Sequence, residues 1–283
     1  MGERVPGAAT AEPALSGEAG AALADQPASA EPAPAHLSAP AAEPALARAL
    51  SPGAFLLIVD PQAIFADPRS DWYSPFWAEY EPRILELARA FKDRVIVTRW
   101  LPTADRSTAW GDYFKAWPFA DVPADDPLYA LLPGFAELSP HPVVDEPTFG
   151  KWGPQLQRVL AAAGGEGRSA RVDPTGAGSA ATGVAPAGAG GASTATGDVS
   201  TGDVSTPTGG APVPDLVVTG VSTDCCVIST VLPAADAGAR ITVVTDACAA
   251  STVENGAAAT HVMSLYPPQV QLASTAQVLA SLP

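Results

Sequence analysis

Val217-Val-Thr-Gly-Val-Ser-Thr-Asp-Cys-Cys-Val-Ile-Ser-Thr230 is the stretch on which the fold of this chain turns. A short β-rich run ends at Gly220, and two cysteines follow where a helix should begin. A thiol at a helix N-terminus lies beside unpaired backbone N–H groups and the positive end of the helix dipole. That setting favours the thiolate, the nucleophilic form of cysteine. Cys226 is therefore the candidate nucleophile. Cys225 points about 100° away around the helix and is assigned to packing. Cys248, after a later strand end, is assigned to packing too. Taken alone, a cysteine such as Cys226 is more often a small buried core residue, so its context must decide.

Outward from this turn, short apolar runs alternate with helical patterns. The strand candidates are Ala54–Val59, Arg94–Arg99, Val143–Asp145, Asp215–Thr219, Arg240–Thr245 and Val270–Ala273. Most are unbroken Val/Ile/Leu runs, as expected of strands buried on both faces. Helix candidates are Pro82–Phe91, Gly153–Ala163, Asp224–Ala237 and Asn255–Leu265. Such alternation predicts a three-layer α/β/α sandwich around a mostly parallel, six-stranded Rossmann-like sheet. Right-handed crossovers put the functional site at the carboxyl ends of the strands. Pro233 should kink or break its helix early, because it removes a backbone donor.

Composition separates this region from two others. Residues 1–50 are rich in Ala, Pro, Glu and Gly and have no aromatic residue, which predicts a disordered tail. Residues 51–283 then form a single domain, in which 164–213, a run of Gly, Ala, Ser, Thr and Pro, is a flexible insertion. Of the formal net charge of −15, the tail carries −4 and the insertion −2, so the rest keeps −9. An acidic domain is a poor match for nucleic acid or an anionic membrane, and a small-molecule substrate is the natural partner. Three cysteines, two of them adjacent, make no disulfide framework and suit a reducing, cytoplasmic setting. The start of the chain lacks the basic and apolar blocks of a signal peptide, and no apolar run approaches the ~20 residues that span a bilayer.

Two further segments carry chemistry. Phe55-Leu-Leu-Ile-Val-Asp-Pro-Gln62 ends a buried strand in a carboxylate, which is costly unless paired. Asp60 could equally be a turn residue before Pro61. Thr148-Phe-Gly-Lys-Trp152 places a single lysine among aromatics, where an exposed capping role is the ordinary alternative.

Together these segments resemble the isochorismatase-like cysteine hydrolases, the superfamily that includes nicotinamidases. The resemblance rests on Asp60, Lys151 and Gly220-Val-Ser-Thr-Asp-Cys-Cys-Val227, with Ala234–Ala247 adding to it, and covers about 54–163 and 214–280. It implies a Cys-Asp-Lys triad. Cys226 would attack a carbonyl to give a thioester-type intermediate, Asp60 would be the general base, and Lys151 would lower the thiol pKa and stabilise negative charge. It further implies a cis Val221–Ser222 bond, with the Ser222 and Cys226 N–H groups as an oxyanion hole. A homodimer or larger homo-oligomer is implied as well. The expected activity is hydrolysis of a small carboxamide or related C–N bond. A catalytically degenerate binding protein on the same fold is the alternative.

All six tryptophans lie between residues 72 and 152, with Phe65, Tyr113 and other aromatics nearby. Phe65, Trp100 and Trp152 are the expected substrate-binding members, since each sits beyond a strand end or beside the triad. Nicotinamidases carry a metal site after the second strand built on histidines. Here Thr98–Arg106 has none, and His36, His141 and His261 are scattered, so no metal or other cofactor is expected.

Overall fold

The computed structural model describes residues 46–169 and 214–282. Most of the expected tail, most of the insertion, and His36 lie outside them. The strands are β1 (Phe55–Val59), β2 (Val95–Trp100), β3 (Val144–Glu146), β4 (Asp215–Val221), β5 (Arg240–Ala249) and β6 (Val270–Ala273). The α-helices are α1 (Ala63–Ala66), α2 (Trp77–Phe91), α3 (Ala109–Ala116), α4 (Pro154–Ser169), α5 (Ile228–Asp236), α6 (Val253–Met263) and α7 (Thr275–Ser281).

The strands form one sheet in the order β3-β2-β1-β4-β5-β6, and every ladder in it is parallel. The unbroken apolar runs are explained by burial on both faces. All five residues of β1 are buried, and they alternate between two cores. Leu56 and Ile58 join Val95, Val97, Val217 and the inner sides of α2 and α7. Phe55, Leu57 and Val59 join Ile96, Leu216, Val218 and the inner sides of α4 and α5. The result is the expected three-layer α/β/α sandwich.

This strand order reverses direction between β1 and β4. Chain segments leaving those two strands diverge to opposite faces and open a crevice beyond their carboxyl ends. Asp60 is the first residue after β1, and Ser222 the first after β4. The register pairs Val59 with Gly220, so the two exits lie side by side.

Residues 46–50, which composition assigns to the tail, pack on this sheet. Arg48 Nη1 lies 3.1 Å from Asp215 Oδ2 at the start of β4, and Leu50 is buried in the first core.

Several helices differ from expectation. α2 begins at Trp77, ahead of Pro82, because the Trp77 ring is buried against Phe135 and offsets one lost backbone bond. Pro233 does not end its helix, which runs on to Asp236. The departure from α geometry lies upstream instead, in a π-helical turn at Thr223–Val227. The carbonyl that Pro233 cannot serve, that of Ser229, faces Gly150, where any Cβ would overlap it. α3 and α7 were not anticipated; Thr108 caps the first, and a Ser274/Gln277 capping box starts the second.

Candidate active site

Asp60 leaves β1 with φ +49°, a left-handed conformation that costs a non-glycine residue about 1–2 kcal/mol. Local bonds hold it there. The Asp60 carbonyl accepts from Gln62 N–H at 2.8 Å. On β2, the Thr98 hydroxyl accepts from Asp60 N–H at 3.1 Å and donates to Asp60 Oδ1 at 2.7 Å. Gln62 ties the same corner to β2: its side-chain amide donates to the carbonyls of Trp100 and Tyr129 and accepts from Trp100 N–H. The Asp60 carboxylate is thereby aimed rather than free.

Its other oxygen faces Lys151. Lys151 Nζ lies 3.1 Å from Asp60 Oδ2, and both side chains are fully buried. The ammonium also donates to the Thr148 carbonyl at 2.8 Å. A buried charge persists only when paired and hydrogen-bonded. Here each charge is matched by the other, while the hydrogen bonds come from Thr98 to Asp60 Oδ1 and from Lys151 to the Thr148 carbonyl.

The third element arrives from β4. Gly220 has φ +116°, and a side chain there would run into the Val59 backbone, so only glycine lets the two strand ends approach. The Val221–Ser222 peptide is cis, as the family resemblance implies. Ser222 caps the π-helical turn: its carbonyl accepts from both Cys225 N–H and Val227 N–H at 3.0 Å. The Cys226 N–H, between them, does not share that acceptor. Asp224 fastens this turn to the start of α6. It accepts from Ser222 Oγ at 2.6 Å and from the N–H and hydroxyl of Ser251 at 2.9 and 2.6 Å. Burial would raise the Asp224 carboxyl, but these donors hold it below its ordinary value.

Cys226 sits on this turn, 3% exposed, and feels both Asp60 and Lys151. The structure thus gathers Asp60, Lys151, Ser222 and Cys226 from the loops after β1, β3 and β4. The protonation pattern differs from expectation. The Cys226 thiol is pushed well up, first by its hydrogen bond with Cys225, then by burial and the Asp60 carboxylate; Lys151 opposes but does not prevail. Lys151 does not prevail because the Cys225 hydrogen bond, burial and the Asp60 carboxylate paired with it all act on the thiol in the opposite sense. Cys225, half-buried, is lowered through the same hydrogen bond. Cys225 therefore acts on its neighbour's thiol as well as packing. Cys248 is buried, and burial pushes its thiol up.

The aromatics expected at the pocket do not gather in one place. Phe65 and Trp100 are buried in the first core, where Trp72 stacks on Phe65 and meets Trp100 edge-on. Trp152 is half-buried against the second core. Tyr113 of α3 also stands near the cysteines: burial raises its phenol first, and Cys225 and Cys226 add to the shift. Trp110 and Phe149 flank it at ring separations of 5.3 and 5.5 Å. Sequence reading missed this group because α3 itself was missed; the Thr108 cap and the Asp112/Lys115 pair were its signals. A cavity of about 500 Å³ between α2 and α6, lined by Phe76, Tyr80, Cys248 and Gly256 among others, excludes Asp60, Lys151 and Cys226.

After β2, Asp105 is exposed and accepts from the N–H and hydroxyl of Ser107, and the stretch Thr98–Arg106 contains no histidine. Among the described residues no group of three or more His, Cys, Asp or Glu side chains is arranged so that it could hold a metal ion. His141 contacts the Asp93 carbonyl and His261 lies on α6. No described helix is long and apolar enough to cross a membrane.

Comparison with known proteins agrees with this fold. The family model described as the isochorismatase domain matches residues 54–167 and 210–277. A solved cysteine hydrolase from Pseudomonas syringae pv. phaseolicola is 17% identical, with a TM-score of 0.57 over 85% of this chain and 98% of that one. An isochorismatase family protein from Desulfovibrio vulgaris is 18% identical, with a TM-score of 0.54 over 79% and 95%. The pyrazinamidase of Pyrococcus horikoshii, solved in complex with zinc, is 17% identical, with a TM-score of 0.50 over 78% and 99%. At these identities the likeness is one of fold. No curated protein matches the sequence.

Proposed function

The chain belongs to the isochorismatase family, and on that premise we propose that this hydrolase cleaves small carboxamides at the C–N bond through Asp60, Lys151 and Cys226. The observation that carries the reading is the buried Asp60–Lys151 ion pair at 3.1 Å, beside a buried thiol that senses both charges. Such an arrangement is costly to keep in a core without use.

The raised thiol fits a base-assisted mechanism. Cys226 rests as S–H, and Asp60 takes that proton as sulfur attacks the carbonyl carbon. Once Asp60 is protonated, the Lys151 charge is no longer balanced and stabilises the developing anion. The N–H groups of Ser222 and Cys226 receive the oxyanion. Collapse breaks the C–N bond, and the Asp60 proton leaves with the amine. Water then attacks the thioester; Asp60 accepts its proton, and the carboxylate product departs as Cys226 is reprotonated. No step calls for a metal, and the donor set after β2 offers none. Tyr113, with Trp110 and Phe149, supplies an apolar wall for the acyl group, a role the sequence suggested for Phe65, Trp100 and Trp152.

A homo-oligomer belongs to the same reading. Val253, Leu265 and Tyr266 are exposed on a stretch whose one carboxylate is Glu254. Two copies of an acidic chain can meet there without like-charge repulsion.

One observation favours a second reading, a binding protein on the same fold: the Cys226 thiol is held protonated at rest. Ammonia release from a panel of small aromatic and aliphatic primary carboxamides separates the two. The enzyme reading expects turnover that Cys226→Ala abolishes; binding of a panel member without turnover supports the alternative.

A further inference from the structure

The backbones of Lys151 and Cys226 meet at one side chain. Thr230, 1% exposed, lies one turn beyond Cys226 on α5. Its hydroxyl donates to the Cys226 carbonyl at 2.7 Å and accepts from the Lys151 N–H at 2.9 Å. A hydroxyl has one proton and two lone pairs, so both bonds form at once and each fixes the direction of the other.

The surroundings make this contact close. Lys151 stands in a loop between β3 and α4, where regular structure does not set its position. Gly150 lets that loop press on α5, because any side chain there would overlap the Ser229 carbonyl. The Lys151 ammonium is held by Asp60 and Thr148, and its backbone N–H is held by Thr230. Asp60 itself is fixed by Thr98 on the far side. The lysine is thus aligned from both ends, and the hydroxyl is the link that refers it to the cysteine helix.

We propose that Thr230 is a positioning residue that holds Lys151 in register with Cys226, an inference that rests on the reading of these two as partners in one reaction. Valine keeps the shape of the side chain and offers neither bond, so the lysine loop loses its anchor to α5. Serine keeps both bonds.

The test follows iodoacetamide alkylation of Cys226 against pH in full-length chains carrying Cys225→Ala, with peptide mass spectrometry separating its adduct from that of Cys248. Thr230→Val should raise the midpoint and slow alkylation at neutral pH by about tenfold, the change that one pH unit produces. Thr230→Ser should restore the profile. Lys151→Met should raise the midpoint as well, and adding Thr230→Val to it should change nothing further, because the hydroxyl acts through the lysine. Should Thr230→Val fail to fold, Thr230→Ala removes the same hydroxyl. An unchanged profile in a folded Thr230→Val, additive shifts in the double variant, or a serine variant that behaves like valine each overturn the inference. An unchanged profile in Lys151→Met overturns the underlying partnership, and the inference with it, which tells the two failures apart.

Discussion

Lys151 Nζ lies 3.1 Å from Asp60 Oδ2 with no solvent on either side chain. Desolvation of two charges roughly cancels their attraction, so such a pair is weak evidence of stability; removing one partner strands the other at a cost of about 3–5 kcal/mol. Lys151→Met should therefore lose activity and unfold at markedly lower denaturant. Asp60→Asn/Lys151→Met should stay inactive yet recover most of that stability. Urea titrations of the three proteins decide it; a double variant no more stable than Lys151→Met alone would contradict a pair kept for chemistry.

Gly220 makes a sharper prediction about stability. Both its φ of +116° and its approach to the Val59 backbone exclude a side chain. Gly220→Ala should cost more than about 3 kcal/mol, since backbone must move. Gly238 has φ +93° but open space around it, so Gly238→Ala should cost only the conformational penalty of about 1–2 kcal/mol. Equal losses in denaturation midpoints would show that the β1–β4 contact is not tight.

Asp224 predicts a pH dependence. Its carboxyl is lowered in the folded state, so its contribution is fully present above the unfolded value of about 4 and is lost as pH falls through the folded value. The stability gap between wild type and Asp224→Asn should be flat from pH 5 to 8 and should close below about pH 4. A gap that widens in acid would reverse the sign and the account.

The two vicinal thiols should titrate in a fixed order. Cys225 is lowered and half-buried; Cys226 is raised and buried. Cys225 should alkylate first at neutral pH. Replacing Cys225 by Ala, or Asp60 by Asn, should bring the Cys226 midpoint down, because each removes a group that raises it. Peptide-resolved mass spectrometry reads both sites, and a Cys226 that outpaces Cys225 at neutral pH would refute the assignment.

Much of this was legible in the chain. Unbroken apolar runs such as Phe55–Val59 mark strands buried on two faces, and the parallel topology carries Asp60 and the Cys226 turn to one edge. The aromatic neighbours were not legible, because Trp110 and Tyr113 are carried by α3, a short helix that the pattern of apolar residues does not mark. The π-helical turn was hidden for a similar reason: Pro233 advertised a break, while the irregularity is set upstream by Ser222, whose carbonyl serves two donors. Thr230 gave no signal at all, since a threonine in a helix becomes informative only when the lysine loop is seen against it.

The central claim is that Cys226 carries the acyl group. Its most direct test is the burst of nitrophenolate on mixing with p-nitrophenyl acetate, followed by peptide mass spectrometry of the quenched protein. The account predicts a stoichiometric burst with the acetyl adduct on Cys226, retained in Cys225→Ala and lost in Cys226→Ala. A burst that survives Cys226→Ala, or an adduct that maps to Cys225, would contradict it.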